Sequence, residues 1–178
     1  MKPEGRFDGY GVAARQAVIA GRVDAAALPR VSDLLAEEGG TAQVDYRITG
    51  SADAGGRPAL EVALSGVVPL TFQRCLRPFA WPVEQSTLLL LARDEGELAR
   101  LDEEDHEHEV LLADAPLDAL ALVEDELLLT LPFAPRCPEA QCPAAGTGLA
   151  AAGEATGSAS PFGALAGLKA APGKKARR

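Results

Sequence analysis

Three features of the 178-residue sequence predict an α+β fold, an antiparallel β-meander packed by helices and followed by a disordered C-terminal tail. Short consecutive segments between residues 42 and 92 alternate apolar and polar side chains with period two, the mark of half-buried strands. Residues 117–131 carry an apolar pattern of helical period. From residue 143 onward the chain runs into alanine, glycine, serine and threonine, a composition too poor in large apolar groups to order itself. The expected organisation is an α+β domain over 1–142, a flexible linker over 143–159, and a docking peptide with a basic tail over 160–178.

Within the N-terminal part, 1–40, a helix is expected over 28–38. Pro29 suits a first helical turn, Leu28, Val31, Leu34 and Leu35 share one face, and Gly39-Gly40 stops it. In the sheet, 42–92, Val44, Tyr46 and Ile48 mark a first strand, and Ser51 to Arg57, with Asp53 and Gly55-Gly56, a turn. Leu60, Val62 and Leu64 mark a second strand, and Val68, Leu70 and Phe72 a third. A corner over Cys75–Pro78 then leads to a fourth strand over 83–92. Residues 94–109 hold nine acids (Asp94, Glu95, Glu97, Asp102, Glu103, Glu104, Asp105, Glu107 and Glu109), a solvated segment or a docking surface for a basic partner.

In the helix expected over 117–131, Leu117, Leu120, Ala121, Leu127, Leu128 and Leu131 form the apolar stripe. Glu124 stands where the stripe's missing member belongs, so its carboxylate needs a partner. Arg74, beside Cys75, is the expected one. Pro132 and Pro135 end the helix. Beyond the linker, Ser160 and Pro161 start a helical turn in which Phe162, Leu165 and Leu168 recur every third position. With Lys169 behind them, they read as a peptide that docks on a partner.

Composition narrows the function. No apolar run approaches the roughly 20 residues that span a bilayer. The N-terminal MKPEGRFDGYG lacks the apolar region of a signal peptide, and three cysteines, an odd number, do not make a disulfide framework. A cytoplasmic protein is expected. Net charge is −9, but the last ten residues hold five of the 17 basic residues and no acid, leaving residues 1–168 at −14. So negative a body is expected to repel a phosphate backbone and to suit basic partners, with the cationic tail touching RNA by itself.

The three thiols, Cys75, Cys137 and Cys142, raise the question of zinc, which takes four sulfur or nitrogen ligands in structural sites. A CxxC at the corner would need a cysteine at position 72, and the chain has Phe72. His106 or His108 is the alternative fourth ligand, in a strongly acidic stretch. Zinc is therefore expected to be absent or weakly held, and no other cofactor is implied. Phosphate-loop, nucleophile-elbow and zincin motifs are absent. A thiol enzyme built from Cys75 with His106 or His108 is the enzyme alternative.

Three blocks carry a family resemblance. They are Gln73-Arg74-Cys75-Leu76-Arg77-Pro78-Phe79, the stretch LDALALVEDELLLTLPFAPRC over 117–137 with Cys142 following, and SPFGALAGLK over 160–169. With the strand layout between them, the chain from about 42 to 169 resembles the YceD family, named for large ribosomal RNA subunit accumulation. The positions matching the family pattern are Arg74, Cys75, Pro78 and Phe79 in the corner; Glu124, Asp125, Glu126, Pro132 and Cys142 in the helix block; and Pro161, Phe162, Leu165 and Leu168 in the tail. Phe72 departs from a cysteine pair frequent in the family.

The resemblance implies a bacterial cytoplasmic factor in ribosome biogenesis that supports accumulation of 23S ribosomal RNA. It implies no reaction, membrane or small-molecule substrate, and its partner would be ribosomal RNA or a large-subunit assembly protein. An acidic, chaperone-like binder of a basic ribosomal protein, without RNA contact, is the alternative.

Overall fold

The computed structural model describes residues 5–38, 40–138 and 142. The chain divides into two units, 1–138 and 139–178. Every element below belongs to the first; of the second only Cys142 is described, and it is buried. The expected linker over 143–159 and docking peptide over 160–178 lie outside the described residues.

The fold is α+β. A five-stranded sheet runs in the order β2(Val18–Asp24), β3(Gln43–Ala52), β4(Pro58–Thr71), β5(Pro78–Ala92), β6(Glu109–Leu112). Neighbours are antiparallel except β5 and β6, which are parallel. A two-stranded ribbon joins β1(Arg6–Phe7) to β7(Leu117–Asp118). The helices are α1(Gly9–Arg15), α2(Pro29–Ser32), α3(Glu95–Glu104) and α4(Ala119–Thr130), with a 3-10 turn at Ala25–Ala27.

The alternation seen in the sequence builds the core. Val44, Tyr46 and Ile48 of β3 meet Leu60, Val62, Leu64, Val68 and Leu70 of β4, and helices α1, α2 and α4 add Val12, Val31, Leu122, Val123 and Leu127. Gly50 of β3 makes one helix approach possible, because a Cβ there would collide with the Val12 carbonyl of α1. On the outward pleat Arg22 and Asp45, register partners on β2 and β3, are joined through both carboxylate oxygens at 2.7 and 2.8 Å.

Three expectations are corrected. The N-terminal 40 residues are not merely helical, because Val18–Asp24 forms an edge strand on β3. The helix expected over 28–38 closes at Ser32, and the chain then leans on the sheet, the Ala36 N–H donating to the Pro69 carbonyl at 2.9 Å. The second and third strands are one 14-residue strand, β4. With β3 on one side and β5 on the other, pairing carries it through Ser65-Gly66 and past Pro69. The acidic stretch is the solvated segment expected, most of it a helix, and it serves as a crossover. Asp94 caps α3 by accepting from the Glu97 N–H at 2.8 Å, α3 buries Leu101, and the chain returns as β6 parallel to β5.

Helix α4 lies within the expected 117–131, but Leu117 and Asp118 pair as β7 and the helix starts after Asp118, which accepts from the Leu120 and Ala121 N–H groups at 2.9 and 3.1 Å. Its buried face is turned from the expected one. Ala119, Leu122, Val123, Glu126 and Leu127 are buried, with Glu124 beside them, whereas Ala121 is exposed and Leu120, Leu128 and Leu131 are half-buried. The spacing 0, 3, 4, 7, 8 is also helical, so the periodicity was real and its phase was not unique.

Candidate binding surface at the arginine corner

The loop between β4 and β5 is closed by two backbone bonds, Phe72 N–H to the Arg77 carbonyl and Leu76 N–H to the Phe72 carbonyl, both 3.0 Å. The closure holds Leu76 at φ 57°, the left-handed region that L side chains avoid, with its side chain 73% exposed. Strained backbone bearing an exposed apolar side chain is a mark of functional loops. The segment leaving α4 runs alongside: the Gln73 N–H donates to the Pro135 carbonyl at 2.9 Å. The Sγ atoms of Cys75 and Cys137 lie within 4.8 Å of one another.

Aromatic rings support the loop from below. Phe72 stacks on Phe79 with centroids 3.9 Å apart and planes 5° apart, and Phe79 meets Trp81 edge-on at 6.3 Å. Position 72, where a fourth thiolate was sought, is thus occupied by a ring in a stack. Pro78 opens β5 opposite Thr71, where its missing N–H is tolerated at a strand start.

Around this scaffold Arg74, Arg77 and Arg136 are exposed, and neither 72–82 nor 131–138 contains an acid. Arg74 and Arg136 line one shallow pocket of about 380 Å³ together with Gln73 and Ala134. Gln73 also borders a second, apolar groove of about 270 Å³ walled by Leu34, Leu70, Leu128, Leu131 and Phe133. The Phe133 ring is fully exposed. Glu37 and Glu38 border the other flank of the loop, beside Leu76 and Pro78. The sequence reading missed Arg77, Phe133 and Arg136 as site residues. For Phe133 and Arg136 the signal is the run Pro132-Phe133-Ala134-Pro135-Arg136, an aromatic and a cation in chain that cannot continue a helix.

The predicted Arg74–Glu124 ion pair is replaced by another. Glu124 Oε1 accepts from the backbone N–H of Arg30 at 2.6 Å and of Val31 at 3.4 Å, and its Oε2 from the Arg30 guanidinium at 3.1 Å. Asp125 takes the same guanidinium at 2.6 Å. Burial alone would raise the Glu124 carboxyl, but these donors outweigh it and hold it below the usual glutamate range. Glu124 therefore caps α2 from a distance and ties it to α4. Glu126, two residues on, is 3% exposed, and its Oε2 has no hydrogen-bond partner. Burial pushes its carboxyl up; the Thr87 hydroxyl pulls it down, and the charges of Glu109 and Asp125 push it further up.

The histidines lie at the other end of the sheet. His108 Nδ1 is 3.1 Å from Asp105, whose other oxygen is bound by Arg57 at the turn before β4, while Cys75 follows the end of β4. Fourteen residues of strand, about 45 Å, intervene. Neither His106 nor His108 is placed as a fourth metal ligand or as a base for Cys75, and the thiol-enzyme alternative loses its geometry.

Comparison with curated proteins and with solved structures gave no match. Among the described residues no helix is long and apolar enough to cross a membrane. A protein-family model, described as Large ribosomal RNA subunit accumulation protein YceD, matches residues 60–169, which include the corner, α4 and the segment after it. Covering more than half of the sequence, that match shows that the chain belongs to the YceD family.

Proposed function

We propose that the protein is a non-enzymatic factor of ribosome biogenesis in the bacterial cytoplasm, supporting accumulation of 23S ribosomal RNA by binding RNA or an assembly partner. The observation that carries this reading is the family match over residues 60–169, which includes a corner of exposed arginines and apolar side chains. Such a surface suits association rather than bond-making: a thiol nucleophile needs a base within hydrogen-bond reach, and both histidines are far from Cys75. The reading is also metal-independent, with a stacked phenylalanine at position 72 and the histidines remote.

Depletion of the protein in its own cells tests this reading. Loss of 23S relative to 16S RNA, restored by the wild-type gene and equally by Cys75→Ser, is expected. Unchanged 23S RNA on depletion overturns the assembly role, and failure of the serine variant while folded overturns its thiol independence.

A further inference from the structure

The fold leaves the outer edge of β2 open. β2 stands first in the sheet order and has β3 on one side. The Gly50 N–H donates to the Ala17 carbonyl at 2.8 Å and the Ala25 N–H to the Ala42 carbonyl at 2.7 Å, in line with the register of the pair. In an antiparallel ladder such bonds fall on alternate residues. Ile19, Gly21 and Val23 therefore turn N–H and C=O to β3, and Val18, Ala20 and Arg22 turn theirs outward. Among the described residues no backbone group bonds to those three from the open side. The strand also contains no proline or lysine, the usual guards of an edge. The opposite edge, β6, has four residues, opens with Glu109 and lies against α3.

We propose that β2 pairs antiparallel with β2 of a second copy, about a two-fold axis through Gly21, joining two five-stranded sheets into one. In that register the edge is complementary to itself, as a two-fold contact requires. Ala20 exchanges backbone bonds with the partner's Arg22, and Val18 stands opposite the partner's Asp24. On the core-side pleat Ile19, half-buried in one chain, faces the partner's Val23, a β-branched pair that shields both. Gly21 faces its own copy, and the Tyr46 ring lies over it: a Cβ on Gly21 would stand 2.7 Å from the Tyr46 Oη. That hydroxyl is buried without a hydrogen-bond partner, a costly state. The axis brings the partner's Tyr46 hydroxyl to the other side of the paired glycines, where the two can share a bond or a water.

Charge favours a second copy over a charged peptide. Arg22 is already held by both oxygens of Asp45, so the edge does not call for an acidic strand. No like charges stand directly opposite in the two-fold register. The acids of α3 lie with β5 and β6, and β6 is four strand spacings from β2, roughly 19 Å. Fixed charges are screened beyond roughly 8–10 Å at physiological ionic strength, so the negative charge of the body does not bar the approach. One strand pair buries less than the about 1,200–2,000 Å² of a standard stable interface, and a reversible dimer of micromolar or weaker affinity is expected.

Sedimentation velocity of the full-length protein over a wide concentration range tests this. The wild type should pass from monomer to dimer as concentration rises. Ala20→Pro removes an N–H that points away from β3, a change edge strands tolerate, and should weaken association at least tenfold while circular dichroism stays that of the wild type. Two further variants at this exposed position read the register through charge. Ala20→Lys, set opposite the partner's Arg22, should weaken the dimer severalfold, and Ala20→Glu should tighten it by a similar factor. A protein that stays monomeric at every concentration overturns the proposal. So does a dimer whose affinity is unmoved by folded Ala20→Pro, or one that the lysine and glutamate variants shift in the same direction.

Discussion

The two ends of the β4 strand use arginine in opposite ways. At the β3–β4 turn Arg57 is held by Asp53 and Asp105, whose side chains are only 5% and 10% exposed, and Asp53 also receives the Arg57 N–H at 2.6 Å. At the β4–β5 loop Arg77 and Arg136 face solvent beside an exposed leucine and phenylalanine. The same residue type closes structure at one end and offers a surface at the other. At the β3–β4 turn the fold brings two carboxylates to a guanidinium that is always charged.

The sharpest way to break the contrast is to remove one arginine from each end. Arg57→Ala should give the largest loss, lowering Tm by several degrees, because two nearly buried carboxylates lose their cation. Arg77→Ala should leave stability within about 0.5 kcal/mol, as surface substitutions usually do. Thermal unfolding followed by circular dichroism checks both. The Asp105 carboxyl adds a pH test. Burial would raise it, but Arg57 and the N–H groups of His108 and Glu107 hold it well below the usual aspartate range. Its stabilisation is then fully present above the unfolded value near 4 and lost as pH falls through the folded value. Acid unfolding should therefore begin at higher pH in Arg57→Ala, and an unchanged acid midpoint would refute the assignment.

Helix α4, which delivers the chain to the corner, makes the next test. Glu124→Gln should cost about 2 kcal/mol at pH 7, the size of hydrogen bonds to a charged group. The loss should shrink as pH falls below the unfolded glutamate value near 4.3, where the wild type loses the same charge. Glu126→Gln should do the reverse. Its raised carboxyl lowers stability as pH rises from the unfolded value through the folded one. The variant should gain stability at neutral pH and nothing below pH about 4. Urea titrations at pH 4 and 7 separate the two; a same-signed response would show that their environments are not distinct.

Smaller still is the strain of the corner itself. Leu76→Gly removes a left-handed L residue whose exposed side chain packs little, and should stabilise by about 0.5–1 kcal/mol. For metal, elemental analysis of protein purified without chelator should find no zinc that survives dialysis against one. One zinc per chain after that treatment would overturn the metal-independent reading.

Local periodicity, helix-ending prolines and motif spacing are enough for the α+β class, the strand content of Val44–Ile48 and Leu60–Leu64, the end of α4 before Pro132, and the family. Which residues meet is set by packing at long range. The edge strand β2 has ordinary alternation that becomes a strand by pairing with β3, and Ser65-Gly66 looks like a break until β3 and β5 pair across it. A stripe of leucines fits α4 in two phases, and packing against the sheet chose the one that buries Glu126. Arg30 took Glu124 because α2 places two N–H groups and a guanidinium together, a convergence of residues 94 apart in sequence that no spacing rule encodes. Net charge, too, is a sum over the chain, whereas a ligand meets only the charges within a screening length. The fold put an arginine corner at one end of β4 and the acids of α3 at the other.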